Sequence, residues 1–271
     1  MKINQLRDFW RNPFTVAIFA GILLALAFPR VGIAGFAWIA PGLLALAGLG
    51  KRGWESFRIG YASGLAYYLV SLNWLLRIPY RWIGIPLGPA LGLLALSAFL
   101  SIYPGVWVWS LSLGQGNGSS TSANPEPNSS GILAWGRGTA ALSAGWSRRF
   151  AWALTGAAAW VALEMCVARL LSGFPWDLLG VSQYRMVPLI QIASVTGVYG
   201  VSFIVAWTSL CLLLAALAVL QRPALRYAWL SEVILPLIAI GALFVFGLRQ
   251  MRKPDQSSQS VRVSLDRKSV V

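Results

Sequence analysis

The sequence predicts an all-α, polytopic transmembrane helical bundle of about seven spans. Three observations predict it. Of 271 residues, 57% are apolar and only 11% charged, and the apolar residues gather in windows of roughly the 20 positions a helix needs to cross a hydrocarbon layer. Lys and Arg, which leave a formal charge of +14, stand singly or in pairs at the edges of those windows, where they set topology and meet lipid headgroups. Of fourteen Trp, most also sit at window ends, among them Trp10, Trp54, Trp74, Trp82, Trp107, Trp109, Trp152 and Trp229. The headgroup zone suits such an amphipathic ring; Trp160 and Trp207 alone are placed deep.

Span one runs from about Trp10 to Phe28 behind Lys2, Arg7 and Arg11. Its basic front and its Ala25-Leu26-Ala27 end also fit a signal peptide, but Pro29 and further spans follow, so a retained span is expected. Span two covers Gly32 to Leu49. Span three, Phe57 to Leu76, lies between Lys51-Arg52 and the Arg77 to Arg81 loop. Span four, Ile85 to Leu111, carries Pro86, Pro89 and Pro104. Its crossing is read as Pro89 to Trp109 with a broken approach and local kinking, because proline removes a helical hydrogen bond that neighbouring helices must make good. Spans five, six and seven are Phe150 to Leu171, about Val198 to Leu220, and Trp229 to Leu248.

This divides the chain into spans one to four (1–113), a low-complexity loop (114–149), spans five to seven (150–249) and a polar tail (250–271). The loop, with Gly114-Gln115-Gly116-Asn117-Gly118-Ser119-Ser120 and Asn124-Pro125-Glu126-Pro127-Asn128, is too polar to offset its ordering entropy and is expected to be disordered. Counting basic residues with the N-terminus inside puts eleven on the inner side (Lys2 to Arg11, Lys51 to Arg58, Arg137 to Arg149, Arg222 to Arg226) and five in outer loops. That favours a cytoplasmic N-terminus in a bacterial inner membrane. The six in the tail then fall outside and offset the bias.

Several classes are excluded. No basic face with interleaved aromatics is present, so nucleic acid is not a partner despite the charge. Cys166 and Cys211 lie inside apolar spans, where a thiol behaves as a small hydrophobe; neither supports a metal site or a disulfide, and no cofactor is implied. Histidine is absent, so no Ser-His or Cys-His nucleophile can be assembled. A transporter would want ionisable residues in several spans, and only Glu164 is clearly deep. The sequence sets no oligomeric state.

Glu164 is therefore the sharpest single candidate. An acid inside an apolar span costs about 2.5–3.5 kcal/mol on insertion scales unless it is paired or faces water, so it should point into the bundle, either fastening helices or meeting substrate. Arg169, nearer the outer surface, could snorkel outward or partner it. Gly173-Phe174-Pro175-Trp176-Asp177 reads as a tight hairpin, because Pro175 stops a helix while Phe174 and Trp176 supply interfacial aromatic area. It is either a membrane anchor or an entrance for an acyl chain, with Asp177, Gln183 and Tyr184 as polar contacts. Gly197 and Gly200 around Tyr199, and the Gly60-x-x-x-Gly64, Gly84-x-x-x-Gly88 and Gly88-x-x-x-Gly92 pairs, allow close approach between helices. The lipid or substrate contact candidates are Glu164, Arg169, Phe174, Pro175, Trp176, Gln183 and Tyr199; none is assigned a catalytic role.

Five segments then carry a resemblance. Leu26-Ala27-Phe28-Pro29, Trp160-Val161-Ala162-Leu163-Glu164 leading to Gly173-Phe174-Pro175-Trp176, Leu179-Gly180-Val181-Ser182-Gln183, Pro188-Leu189-Ile190-Gln191 and Gly197-Val198-Tyr199-Gly200-Val201-Ser202-Phe203 together resemble the apolipoprotein N-acyltransferase family. The likeness runs from about Phe14 to Leu265 outside the low-complexity loop. It implies membrane spans followed by a carbon-nitrogen hydrolase domain and a final span. The implied reaction moves an acyl chain from a membrane phospholipid to the amino group of a diacylglyceryl-cysteine at a lipoprotein N-terminus. A thioester on a cysteine, supported by a glutamate and a lysine, carries it. Val261-Arg262-Val263-Ser264-Leu265 is similar to the opening strand of that soluble domain, but Asp266 to Val271 leaves the pattern, and Cys166 and Cys211 do not fill the vacant role. The expectation is a truncated or frameshifted product, or half of a split enzyme, inactive alone; the alternative is a lipid-binding scaffold for a separately encoded catalytic subunit.

Overall fold

The computed structural model describes residues 12–29, 31–77, 87–114, 145–170, 173–221, 227 and 229–252. Most of the low-complexity loop, the basic N-terminal residues and the Val261 to Leu265 segment lie outside them. The described residues are helical, with no strands among them, as the apolar windows led us to expect.

Helix α1, Pro13–Leu26, starts where its sequence can cap it: the Asn12 side chain accepts from the Phe14 amide at 3.0 Å and Pro13 occupies the first turn, where its missing N–H leaves nothing unsatisfied. A 3-10 turn, Ala34–Trp38, leads into α2, Ala40–Gly48, which is buried along nearly its whole length. Helix α3 is Gly53–Ser71, followed by a 3-10 turn at Asn73–Arg77. The proline-bearing span is two helices, α4 (Gly88–Leu100) and α5 (Ile102–Leu113), meeting at Ser101. The joint lies one residue past Leu100, the position whose carbonyl the Pro104 ring would strike in a continuous helix. Helix α6, Trp146–Val167, is followed by a loop, a 3-10 turn at Leu179–Gln183 and two single-turn helices, α7 (Val187–Ile190) and α8 (Ala193–Thr196). Helices α9, Val198–Gln221, and α10, Leu230–Met251, complete the bundle.

The expected seven spans resolve into a more uneven set. Among the described residues, four stretches are long and apolar enough to cross a membrane: Gly88–Leu113, Trp146–Val167, Val198–Leu220 and Leu230–Met251. Pro13–Leu26 and Ala34–Gly48 are apolar but short, and apolar runs of that length suit burial within protein as well as they suit lipid. Helix α3 has 19 residues, but Glu55, Ser56, Arg58 and Ser63 dilute its apolarity. A further short apolar element, Val187–Thr196, was not anticipated. Helix α9 forms the centre, with 61% of its span buried against 17% for α10 at the edge.

Close contact is made by small residues. A Cβ on Gly60 would lie 2.3 Å from the Pro104 carbonyl oxygen, and one on Gly64 would lie 2.8 Å from the Ser101 Cα. The Gly60-x-x-x-Gly64 pair thus lets α3 touch the α4–α5 joint, backbone on backbone, as small residues allow in membrane bundles. Gly92, by contrast, faces open space, so that part of the glycine pattern makes no such contact.

A second acid is also buried. Glu232, 3% exposed, accepts from Arg149 Nε at 2.8 Å and Nη2 at 2.6 Å, and beside it Trp146 Nε1 donates to the Ser231 carbonyl at 2.7 Å. These bonds fasten the start of α10 to the start of α6. Glu164 is thus not the only buried acid among the described residues, although Glu232 sits in the first turn of its span, where sequence gives it the look of an interfacial residue.

Gly60→Leu is expected to destabilise the bundle by at least the 1–3 kcal/mol or so of an overpacked core, because the obstructing atom is backbone. Thermal unfolding in detergent should show a clear fall in Tm, and no comparable fall for Gly92→Leu.

Candidate functional site

Glu164 lies near the C-terminal end of α6, one helical turn beyond Trp160. Its Oε1 accepts from Trp160 Nε1 at 2.9 Å and from the Leu179 amide at 2.7 Å. The first bond joins side chains four residues apart on one helix face; the second draws the 3-10 turn at Leu179–Gln183 onto α6. Oε2 is buried without a hydrogen-bond partner. Ser202 stands beside the carboxyl group, its oxygen accepting from the Gly180 amide at 2.8 Å.

The loop between α6 and that turn is held at both ends. Gly173 takes φ 78°, and a Cβ there would lie 2.2 Å from the Ala168 carbonyl oxygen, so only glycine fits this helix exit. The Phe174 amide donates to the Val167 carbonyl at 2.8 Å. Phe174 is half-buried against the core, Pro175 is exposed, and Trp176 stacks on Trp74 with centroids 5.1 Å apart. Asp177 adopts φ 58°, a left-handed conformation that Asp enters more readily than most residues. Two α3 side chains keep it there: Tyr67 donates its hydroxyl to the Asp177 carbonyl at 2.8 Å, and Ser71 donates to its carboxylate. Burial pushes the Asp177 carboxyl above its ordinary value of 3.8, and the Ser71 bond opposes that rise.

Between α3, α5, α6 and this loop lies a cavity of about 50 Å³. Its wall includes Glu164, Asp177, Trp160, Trp176, Tyr67 and Tyr68. Trp107, also on the wall, meets Trp160 edge to face at 4.8 Å and donates to the Gly156 carbonyl at 2.8 Å, so the aromatic rings are fixed in place.

The structure therefore gathers only some of the candidate residues. Glu164 and Trp176 share the cavity, with Phe174 and Pro175 on the loop beside it. Arg169 does not pair with Glu164: it is exposed, donates to the Met165 carbonyl at 3.2 Å and lies 6.0 Å over the Tyr199 ring. Gln183 is fully buried elsewhere, donating to Ala34 and Ser182 and accepting from Trp38 Nε1 at 2.9 Å. Its amide is committed to holding the 3-10 turns together. Tyr67 and Tyr68 were not singled out beforehand, and Trp107, read from the sequence as a ring at a window end, is buried on the cavity wall instead. A signal existed for the tyrosines, since positions 60, 64, 67 and 68 follow the spacing of one helix face.

A family model described as the apolipoprotein N-acyltransferase N-terminal domain matches residues 20–125 and 128–211, a range that holds every residue on the cavity wall. The chain belongs to the apolipoprotein N-acyltransferase family. It is 31% identical over 246 residues to an apolipoprotein N-acyltransferase of Geobacter metallireducens, covering 90% of this chain and 41% of the relative. It is 30% identical to that of Methylococcus capsulatus, covering 81% and 37%, and 25% identical to that of Vibrio parahaemolyticus, covering 92% and 41%. The chain thus spans about two-fifths of the length of these relatives. The family resemblance carried by the Leu26-Ala27-Phe28-Pro29 and Gly173-Phe174-Pro175-Trp176 segments is borne out.

Two outcomes follow from these bonds. Glu164→Ala strands the Leu179 amide and the Trp160 N–H, which should cost about 1–3 kcal/mol, whereas Glu164→Gln keeps an oxygen for both and should stay close to the parent in Tm. For Asp177, the raised folded-state value means the folded protein holds this proton more tightly than the unfolded chain does. Its contribution to stability is therefore full below pH 3.8 and is lost as pH rises through the folded-state value. Asp177→Asn should remove that part of the pH dependence in a series of thermal melts.

Proposed function

We propose that this chain supplies the lipid-holding membrane part of apolipoprotein N-acyl transfer. It seats a phospholipid donor and the N-terminus of a lipoprotein against a hydrolase-fold catalytic part, in the bacterial inner membrane with its own N-terminus cytoplasmic. The observation that carries this reading is the aromatic, carboxylate-bearing cavity at one end of the bundle, built wholly from residues within the family match.

The local chemistry supports a holding role. Phe174 and Trp176 offer apolar area beside the cavity to an acyl chain, and amphipathic rings are at home at that depth. Arg169, exposed at the end of the same helix, presents a guanidinium suited to a lipid phosphate. Cys166 and Cys211 are not on the cavity wall, and no cluster of three metal-ligating side chains exists among the described residues. The nucleophile of acyl transfer is thus assigned to the catalytic part, with this chain orienting the reactants.

The threading of the helices agrees with this arrangement. The Arg149–Glu232 bond places the starts of α6 and α10 at one end of the bundle. The bonds from Ser71 and Tyr67 to Asp177 place the end of α3 and the cavity loop together, next to the end of α6. Alternate crossing of α6, α9 and α10 puts these two ends on opposite faces of a membrane.

Acyl transfer from phospholipid to a diacylglyceryl-cysteine peptide tests the proposal directly. In lipid nanodiscs, the chain alone should give no transfer above background. Adding the carboxy-terminal part of the Geobacter metallireducens relative should restore it. Turnover by the chain alone at an enzymatic rate would overturn the division of labour. So would failure of the mixed pair under conditions where the relative's own two parts recombine.

A further inference from the structure

We propose that a groove at the far end of the bundle from the cavity binds an anionic phospholipid, in the leaflet opposite the one that the cavity meets. The inference goes beyond the acyl-transfer reading: the groove shares no residue with the cavity, and no step of transfer passes through it.

The groove lies between the starts of α1 and α3, where Phe14, Trp54, Phe57, Arg58 and Tyr61 line about 320 Å³. The four α3 residues follow the spacing that puts side chains on one helix face. Their rings form a ladder, with Trp54 stacked on Phe57 at 4.8 Å between centroids and Phe57 on Tyr61 at 5.9 Å. Phe57 is fixed from behind, because a Cβ on Gly105 of α5 would lie 2.7 Å from its ring. Trp54 is nonetheless 70% exposed, and an indole left outside the packing in this way suits the headgroup zone. Ser71, which ties α3 to the cavity loop, stands seventeen residues beyond Trp54 on the same helix. That is about 25 Å of helix, most of the thickness of a hydrocarbon core, so groove and cavity meet opposite leaflets.

Arg58 sets the charge of the occupant. Its side chain is exposed, and among the described residues no carboxylate pairs with it. Neighbouring Glu55 is taken by Lys51 at 2.7 Å, and no acid lines the groove. The Arg58 guanidinium lies 5.9 Å over the Phe14 ring. A guanidinium with its face against a ring keeps its N–H edge for the paired oxygens of a phosphate. The phosphate diester of a lipid meets that edge while its glycerol and first methylenes lie along the ladder of rings. A zwitterionic head would add an ammonium group for which this groove has no carboxylate, so the favoured head is one whose phosphate is its only charge, as in phosphatidylglycerol. A water-soluble phosphate ester would leave the rings uncovered, which makes the lipid the occupant.

The test uses the whole chain in detergent micelles and counts retained lipid by native mass spectrometry. Phosphatidylglycerol and phosphatidylcholine with identical acyl chains are added in equal amounts. Phosphatidylglycerol should be retained about fivefold more, the preference that one basic residue near a headgroup supplies. Arg58→Gln should abolish that preference, and Trp54→Ala should lower retention of both lipids. Both side chains are exposed, so neither change should alter the melting temperature. Arg185→Gln is the control: it removes another exposed arginine set over a ring, 5.3 Å from the Tyr184 centroid and off the groove, and should leave the ratio as it was.

Equal retention of the two lipids by the unaltered chain overturns the proposal, as does a preference that survives Arg58→Gln or falls equally in Arg185→Gln. A dimer that separates on Trp54→Ala would give the groove to a second copy and overturn it too. Should Arg58→Gln fail to fold, Phe14→Leu, which removes the ring beneath the guanidinium, must weaken the preference instead. No acyl group moves in this assay, so its result stands apart from that of the transfer experiment.

Discussion

The hydrogen bond from the Leu179 amide to Glu164 is the constraint around which the lipid-facing end of this protein is arranged. Where water is scarce, a loop can exist only if its backbone groups find partners inside the protein. Helix α6 stops at Val167, and the chain must then turn back before α9 begins at Val198. One carboxylate oxygen accepts the first amide of the returning 3-10 turn, and Ser202 of α9 accepts the next, from Gly180. Gly180 itself permits the approach, since a Cβ there would lie 2.6 Å from the Val198 carbonyl oxygen. A polar residue that is costly in a hydrocarbon setting thus becomes the means by which an irregular segment is tolerated there. Its second oxygen, left over from that task, is what the cavity inherits.

Small residues set the distances on which the cavity depends. Gly60 and Gly64 bring α3 against the α4–α5 joint, and Tyr67 and Tyr68 follow on the same helix. Had α3 stood off by the width of an ordinary side chain, neither Tyr67 nor Ser71 could reach Asp177 and the loop would lose both of its ties to that helix. Packing between helices and the shape of the recess are therefore one problem. In membrane bundles, close van der Waals contact has to do much of what the hydrophobic effect does in water.

How much of this was legible in the sequence depended on the type of interaction. The fold class followed from window length and composition, and the Gly60–Gly64 contact followed from spacing, because both are properties of side chains in order. Glu164 was legible as an inward-facing acid, but its partner was not. Arg169, five residues away, is the obvious counter-ion on paper, yet the partner is a main-chain amide, which every residue carries and none advertises. Gln183 likewise has the composition of a ligand contact and the surroundings of a structural clamp. Glu232 escaped notice because a carboxylate in the first turn of a helix is unremarkable until Arg149 arrives from a different helix. The spans are uneven for a geometric reason: apolar runs of 14 and 9 residues can be enclosed by neighbours as readily as by lipid.

The sparse burial of α10 has a practical consequence. This helix rests on α9 along one side, with Leu235 and Ala239 against the core, and is pinned near its ends by the Glu232 ion pair and by Gly247 beneath the Pro188 carbonyl, while Ile234, Leu237, Ile238 and Val245 face outward. Acyl tails are the medium that solvates such a surface. On extraction, surfactant must replace those tails along this ridge, and a surfactant too short or too dilute to coat it will leave molecules sticking to one another through α10 while their interiors stay native.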